Sequence, residues 1–204
     1  MKIFSGSNHR NSDKAPVIVV SGLPRSGTSM MMRMLAEGGL PVITDEIRRP
    51  DDDNPNGYFE LELVRQLREG KSDWLKGANG KGVKVISSLL EYLPLDHHYK
   101  IIFMERDSRE TLASQKKMLD HRGEAPRISD TEMEQQFHNH LAAIKPWLVR
   151  QPNMDVLYIK YNALLAQPES FCEQIASFLE ISLDRSRMVA VPDTQLYRNR
   201  MGEG

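Results

Sequence analysis

The chain is short of several things, and each shortage excludes something. It has one cysteine, Cys172, in 204 residues, which rules out an intrachain disulfide framework and a metal site built from clustered cysteines. Its uninterrupted apolar stretches last only a few residues, so no helix is expected to span a membrane. Residues 1–15 lack an apolar core segment, so they read as a loose polar extension and not as a secretory signal. Neither sign of charge is in excess: 27 Lys plus Arg stand against 28 Asp plus Glu, for a net −1. That balance argues against a nucleic-acid or membrane-surface protein, while leaving room for a local basic cleft. Histidines in metal-ligand spacing are missing too. His97 and His98 are adjacent, and His138 and His140 face different sides of a helix, so no metal is expected. The expected location is the cytoplasm.

What is present reads as an α/β protein. An apolar fraction of 40% and a length of 204 residues suit one domain, 16–204, after the extension. The β-branched run PVIVVSG, 16–22, suits a buried parallel strand, and TSMMMRMLAEG after it suits a helix. Further strands are expected at 40–44, 82–87, 99–106 and 155–161, with a charged loop at 45–57. Helices are expected at 58–76, 108–119, 131–151 and 169–181. Asp107 and Glu110 fit a capping box for the second of these, and Pro146 is a candidate kink in the third. Strands alternating with helices give an open, mainly parallel sheet of about four to five strands, flanked by helices, on a P-loop-type plan.

The chemistry concentrates in GLPRSGTS, residues 22–29. A strand enters, a tight turn follows and a helix begins, so backbone N–H groups and the helix dipole point at one centre that binds an oxyanion. The nucleotide-triphosphatase pattern G-x-x-x-x-G-K-[ST] is kept in its glycines, Gly22 and Gly27, but the lysine position holds Thr28. The cation has moved upstream to Arg25, which suits a bidentate grip on one oxyanion. Pro24, Arg25, Ser26, Gly27, Thr28 and Ser29 are therefore candidate ligand-binding residues. If strands 16–22 and 100–105 are neighbours, their carboxyl ends share one edge of the sheet, where ligands bind in such folds. Arg106 at the strand end, with Ser114 eight residues later, then offers a second phosphate grip.

Taken together, VIVVSGLPRSGTSMMMRML and IIFMERDSRETLASQKKML resemble the PAPS-dependent sulfotransferases. VLYIKYNALLAQPESFCEQIASFLEI and the loop DNPNGYFE are similar to further segments of that family, and the likeness covers most of 16–181. The resemblance implies 3′-phosphoadenosine 5′-phosphosulfate (PAPS) as donor and adenosine 3′,5′-bisphosphate as product. It places the 5′-phosphosulfate on the turn 24–29 and the 3′-phosphate on Arg106 and Ser114. PRSGTS is like the tyrosylprotein branch, and many members are longer, so elements of the acceptor pocket are expected to be reduced here. The implied step is in-line attack by a hydroxyl or amine on sulfur, without a metal, with Arg25 meeting charge on the bridging oxygen. By the same resemblance Lys84 is a second catalytic cation, and Arg198 and Arg200 close over the 3′-phosphate. The acceptor's proton needs a base. Asp45 and Glu46 resemble the acidic pair of the tyrosylprotein branch. Glu46 is favoured, with Glu60 as the alternative. The acceptor class stays open between small molecules, carbohydrates and peptides. Two rivals remain: a P-loop small-molecule kinase, against which Thr28 speaks, and an inactive nucleotide-binding protein.

Overall fold

The structure, a computed structural model, describes residues 15–45, 47, 51, 57–121, 123–125 and 128–192. Its centre is one sheet built from β1 (Val17–Gly22), β2 (Val42–Ile43), β3 (Gly82–Lys84), β4 (Tyr99–Glu105) and β5 (Met154–Lys160). The order is β2-β3-β1-β4-β5, and every pairing is parallel. The helices are α1 (Thr28–Glu37), α2 (Ser108–His121), α3 (Asp130–Val149), α4 (Tyr161–Ala166), α5 (Pro168–Leu179) and α6 (Arg185–Val189). This is the expected α/β plan, with five strands.

Both faces of the sheet are covered, which is why its strands carry continuous apolar runs. Val17, Val19, Val83, Ile101 and Phe103 pack with Ile144 and Leu148 of α3 on one face. Ile18, Val20, Ile102 and Met104 pack with Met31 and Leu35 of α1 and Ile175 of α5 on the other. Cys172 sits in that second core, and burial pushes its thiol up to about 11, so it is a small core residue and not a nucleophile. Register sets up the functional edge. Val17 to Gly22 pair in step with Tyr99 to Met104, so β1 and β4 end side by side and Arg106 follows just beyond.

The segment 58–76 departs from expectation. It is extended to Leu61, then forms two 3-10 helices, Glu62–Glu69 and Asp73–Gly77, separated at Gly70. The reason is visible in the sequence: Leu61, Val64 and Leu67 recur every third residue, which is the 3-10 repeat. Gly70 then takes a left-handed conformation (φ 72°) and stops the helix. The strand expected at 82–87 ends at Lys84, although the Val85 N–H still bonds the Val20 carbonyl, and a 3-10 helix follows over Ser87–Tyr92. The helix α3 starts at Asp130 with a full capping box of Ser129 and Glu132, and it runs unbroken through Pro146. Proline has no N–H to give the Ala142 carbonyl, so the helix continues through it at the loss of that one bond.

Candidate functional site

The turn 23–27 joins β1 to α1 at the carboxyl edge of the sheet. Its shape depends on two glycines. A Cβ on Gly22 would lie 2.6 Å from the Met104 carbonyl oxygen, and one on Gly27 would lie 2.4 Å from the Tyr161 ring. Gly27 also adopts φ 98°, which favours glycine. Ser26 is buried and turned inward. Its hydroxyl donates to the Leu23 carbonyl at 2.7 Å, and its N–H bonds the same oxygen at 3.2 Å, so it braces the turn. Thr28 and Ser29 open α1. No side chain caps this helix and no acidic residue stands in its first turn, so its N-terminal N–H groups and positive dipole face the turn uncompensated. Leu23 anchors the turn from behind by packing with Leu112 of α2 and Phe137 of α3.

The two expected grips turn out to be one connected unit. Arg25, held at φ 66°, donates from Nε to Ser114 Oγ at 3.0 Å. Arg106 donates from Nη1 to the Arg25 carbonyl at 3.2 Å and from Nε to Glu110 Oε2 at 3.1 Å. Its guanidinium also lies over the Tyr161 ring, 4.6 Å from the centroid. Glu110 is buried, and its other oxygen accepts from Asn162 Nδ2 at 3.1 Å. The capping box foreseen at 107–110 is therefore only partly as expected. Asp107 Oδ1 does accept the N–H groups of Arg109 and Glu110, but the Glu110 carboxylate is directed inward to Arg106. Beside Ser114, Thr111 Oγ1 and Gln115 Oε1 are buried without a hydrogen-bond partner. Unmet polar atoms of this kind fit a polar ligand at the face of α2.

On the other side of the turn, Lys84 at the end of β3 reaches under α1. Its Nζ donates to the Tyr58 carbonyl, to Ser29 Oγ at 3.4 Å and to Glu60 Oε1 at 3.4 Å. Tyr58 is in turn fixed by its hydroxyl, which donates to Asp51 Oδ1 at 2.7 Å. Arg25, Lys84, Arg106 and Ser114 thus converge on one edge. Glu46, Arg198 and Arg200 lie outside the described residues.

Tyr161 and Asn162 border the candidate site without having been expected there, and Glu110, expected only as a cap, joins them. The available signal was position: Tyr161 and Asn162 directly follow β5 at the carboxyl edge, where ligands bind. Burial pushes the Tyr161 phenol above its ordinary value, so the ring presents a neutral face to Arg106. Among the described residues, no group of His, Cys, Asp and Glu could hold a metal ion. No helix among them is long and apolar enough to cross a membrane.

Comparison with known proteins bears on this edge. The model of the sulfotransferase domain family matches residues 15–199. No curated protein matches the chain. Among solved structures, a mouse sulfotransferase, SULT7A1, complexed with PAP, superimposes with a TM-score of 0.56 at 13% identity, over 93% of this chain and 67% of that one. A sulfotransferase domain from the curacin biosynthetic pathway gives 0.50 at 15% identity, over 93% of this chain and 80% of that one. At such identities these two likenesses speak to the fold alone.

Proposed function

The chain belongs to the sulfotransferase domain family, whose chemistry is sulfuryl transfer, and from that premise we propose that it moves a sulfuryl group from PAPS to a hydroxyl or amine acceptor. The observation that carries the choice of donor is the link between the two grips: Arg25 on Ser114, and Arg106 on the Arg25 carbonyl, beside an uncapped helix N-terminus. One polyanion with two separated anionic ends suits such a pair. In this reading the N–H groups of the turn and of α1, with Thr28 and Ser29, hold the 5′-phosphosulfate. Arg106 and Ser114 hold the 3′-phosphate, with Arg198 and Arg200 adding charge there. A solved sulfotransferase that shares the fold was complexed with PAP.

The acceptor attacks sulfur in line, and the bond from sulfur to the bridging oxygen breaks. Negative charge grows on that oxygen, and Arg25 and Lys84 meet it as fixed cations. A sulfuryl group carries less charge than a phosphoryl group, so protein donors serve without a metal. The acceptor's proton goes to a carboxylate between β2 and the first 3-10 helix, the stretch that includes Glu46. A kinase reading would need a lysine at the Thr28 position to stabilise a γ-phosphoryl group. Calorimetric titration with adenosine 3′,5′-bisphosphate and, separately, with ATP–Mg²⁺ tests the proposal. Clear preference for the bisphosphate is expected. Binding of ATP with no preference for a 3′-phosphate would overturn it.

A further inference from the structure

Transfer to a hydroxyl releases one proton, and the sequence offers Asp45, Glu46 and Glu60 as carboxylates to receive it. Asp45 is already committed: its Oδ1 accepts the Ile47 N–H at 3.1 Å, and its Oδ2 accepts the Glu62 N–H. Glu46 lies outside the described residues. Glu60 is placed differently. Its main chain is pinned, because its carbonyl accepts the Thr44 hydroxyl at 2.9 Å and the Asp45 N–H at 3.2 Å. Its carboxylate is 30% exposed, which leaves it reachable by an acceptor, while its ion-pair partner Lys84 is only 8% exposed. The same Lys84 ammonium stands 3.4 Å from Ser29 Oγ, in the first turn of the helix whose N-terminus faces the turn.

Building on the proposed function, we propose that Glu60 is the general base of the reaction and that Lys84 positions it. The acceptor oxygen forms its bond to sulfur as its proton passes to a Glu60 carboxylate oxygen. The bond from sulfur to the bridging oxygen breaks, and its electron pair leaves on the 5′-phosphate of adenosine 3′,5′-bisphosphate. The pairing with Lys84 gives this step a coupling. While Glu60 is ionised, it neutralises Lys84. Once Glu60 takes the proton, that attraction is lost and the positive charge of Lys84 is less offset near the anion developing at the turn. A base without a cation partner would supply the proton acceptor but not this timed release of charge.

Water can serve as the acceptor, so the test needs no knowledge of the natural one. Sulfate release from PAPS is measured for the wild type, Glu60→Gln, Glu60→Asp and Glu46→Gln, alongside adenosine 3′,5′-bisphosphate affinity by calorimetry. Glu60→Gln is expected to slow release by about a hundredfold or more with nucleotide affinity unchanged, and Glu60→Asp to restore part of the rate. Glu60→Gln at the wild-type rate, or the loss appearing in Glu46→Gln in its place, overturns the assignment. A wild type that binds the nucleotide but releases no sulfate overturns it as well. A wild type that fails to bind adenosine 3′,5′-bisphosphate overturns instead the reading on which the assignment rests.

Discussion

Arg106 has two jobs that a simple truncation would confuse. It faces the place assigned to the 3′-phosphate, and it neutralises Glu110, with both side chains largely buried. Removing one member of a buried pair typically costs about 3–5 kcal/mol, because the other charge is left uncompensated. Arg106→Ala is therefore expected to lower the melting temperature sharply, and any loss of binding in it mixes with unfolding. Ser114→Ala is the cleaner probe, since it deletes a hydroxyl and leaves no buried charge. It is expected to weaken adenosine 3′,5′-bisphosphate by about 1 kcal/mol and to leave AMP unchanged, as read by calorimetry. Equal losses for both nucleotides would remove Ser114 from the 3′-phosphate grip. Gly27 tests the turn itself. A Cβ there would lie 2.4 Å from the Tyr161 ring, and φ 98° is itself strained for alanine, so Gly27→Ala has to move a helix end or an aromatic ring. Loss of both thermal stability and nucleotide affinity is expected, and a variant that binds normally would show that the turn does not need this approach.

At the level of elements, what the sequence showed depended on how local the cause was. The strand run VIVVSG and the helix after it were legible because burial on both faces and the amphipathic Met face leave a plain pattern. The segment 58–76 was misjudged because three-residue spacing at Leu61, Val64 and Leu67 also satisfies part of a helical face. The short element α4 was not foreseen, since its few residues carry too little periodicity and it is held by its neighbour α5. Gly70 gives this level its prediction. It is left-handed, and a Cβ there would meet nothing within 4 Å, so only the backbone conformation is at stake. Gly70→Ala is expected to cost about 1–2 kcal/mol. Gly70→Asn should cost less, because asparagine tolerates that region. Thermal melts decide it: equal behaviour of the two variants would show that the break between the 3-10 helices is not set by Gly70.

Across the whole molecule, the near-zero net charge hides local pairing. Two of the described cations of the edge stand against carboxylates, Lys84 with Glu60 and Arg106 with Glu110, so a small cluster of positive groups there adds little to the total. This is why composition excluded broad polyanion surfaces yet was silent about the site, which became legible only through the motif and its resemblance. The tie between Arg25 and Ser114 was out of reach of the sequence, because 89 residues separate the partners.

The same folding-together makes the molecule's stability depend on pH. His140 of α3 bonds Ser87 Oγ at 2.9 Å, at the start of the 3-10 helix Ser87–Tyr92, and burial lowers its pKa below the ordinary value of 6.5 against a smaller opposing effect of Glu91. A histidine whose pKa is lower in the folded state resists protonation there more than in the unfolded chain. The unfolded state thus binds the extra proton first, and stability falls as pH drops. The contribution is fully present above about 6.5 and is lost progressively as the pH falls below that value. The exposed carboxylates with lowered pKa, Glu132 at the α3 cap and Glu180 beside Lys100, lose their contributions only at more acidic pH, so the two ranges separate. Melting temperatures of wild type and His140→Gln between pH 7.5 and 5 measure the difference. The wild type is expected to lose stability across this range more steeply than the variant, which keeps a hydrogen-bonding side chain but cannot titrate. Parallel curves would mean that burial of His140 between α3 and the 3-10 helix at Ser87 does not govern the acid response of the fold.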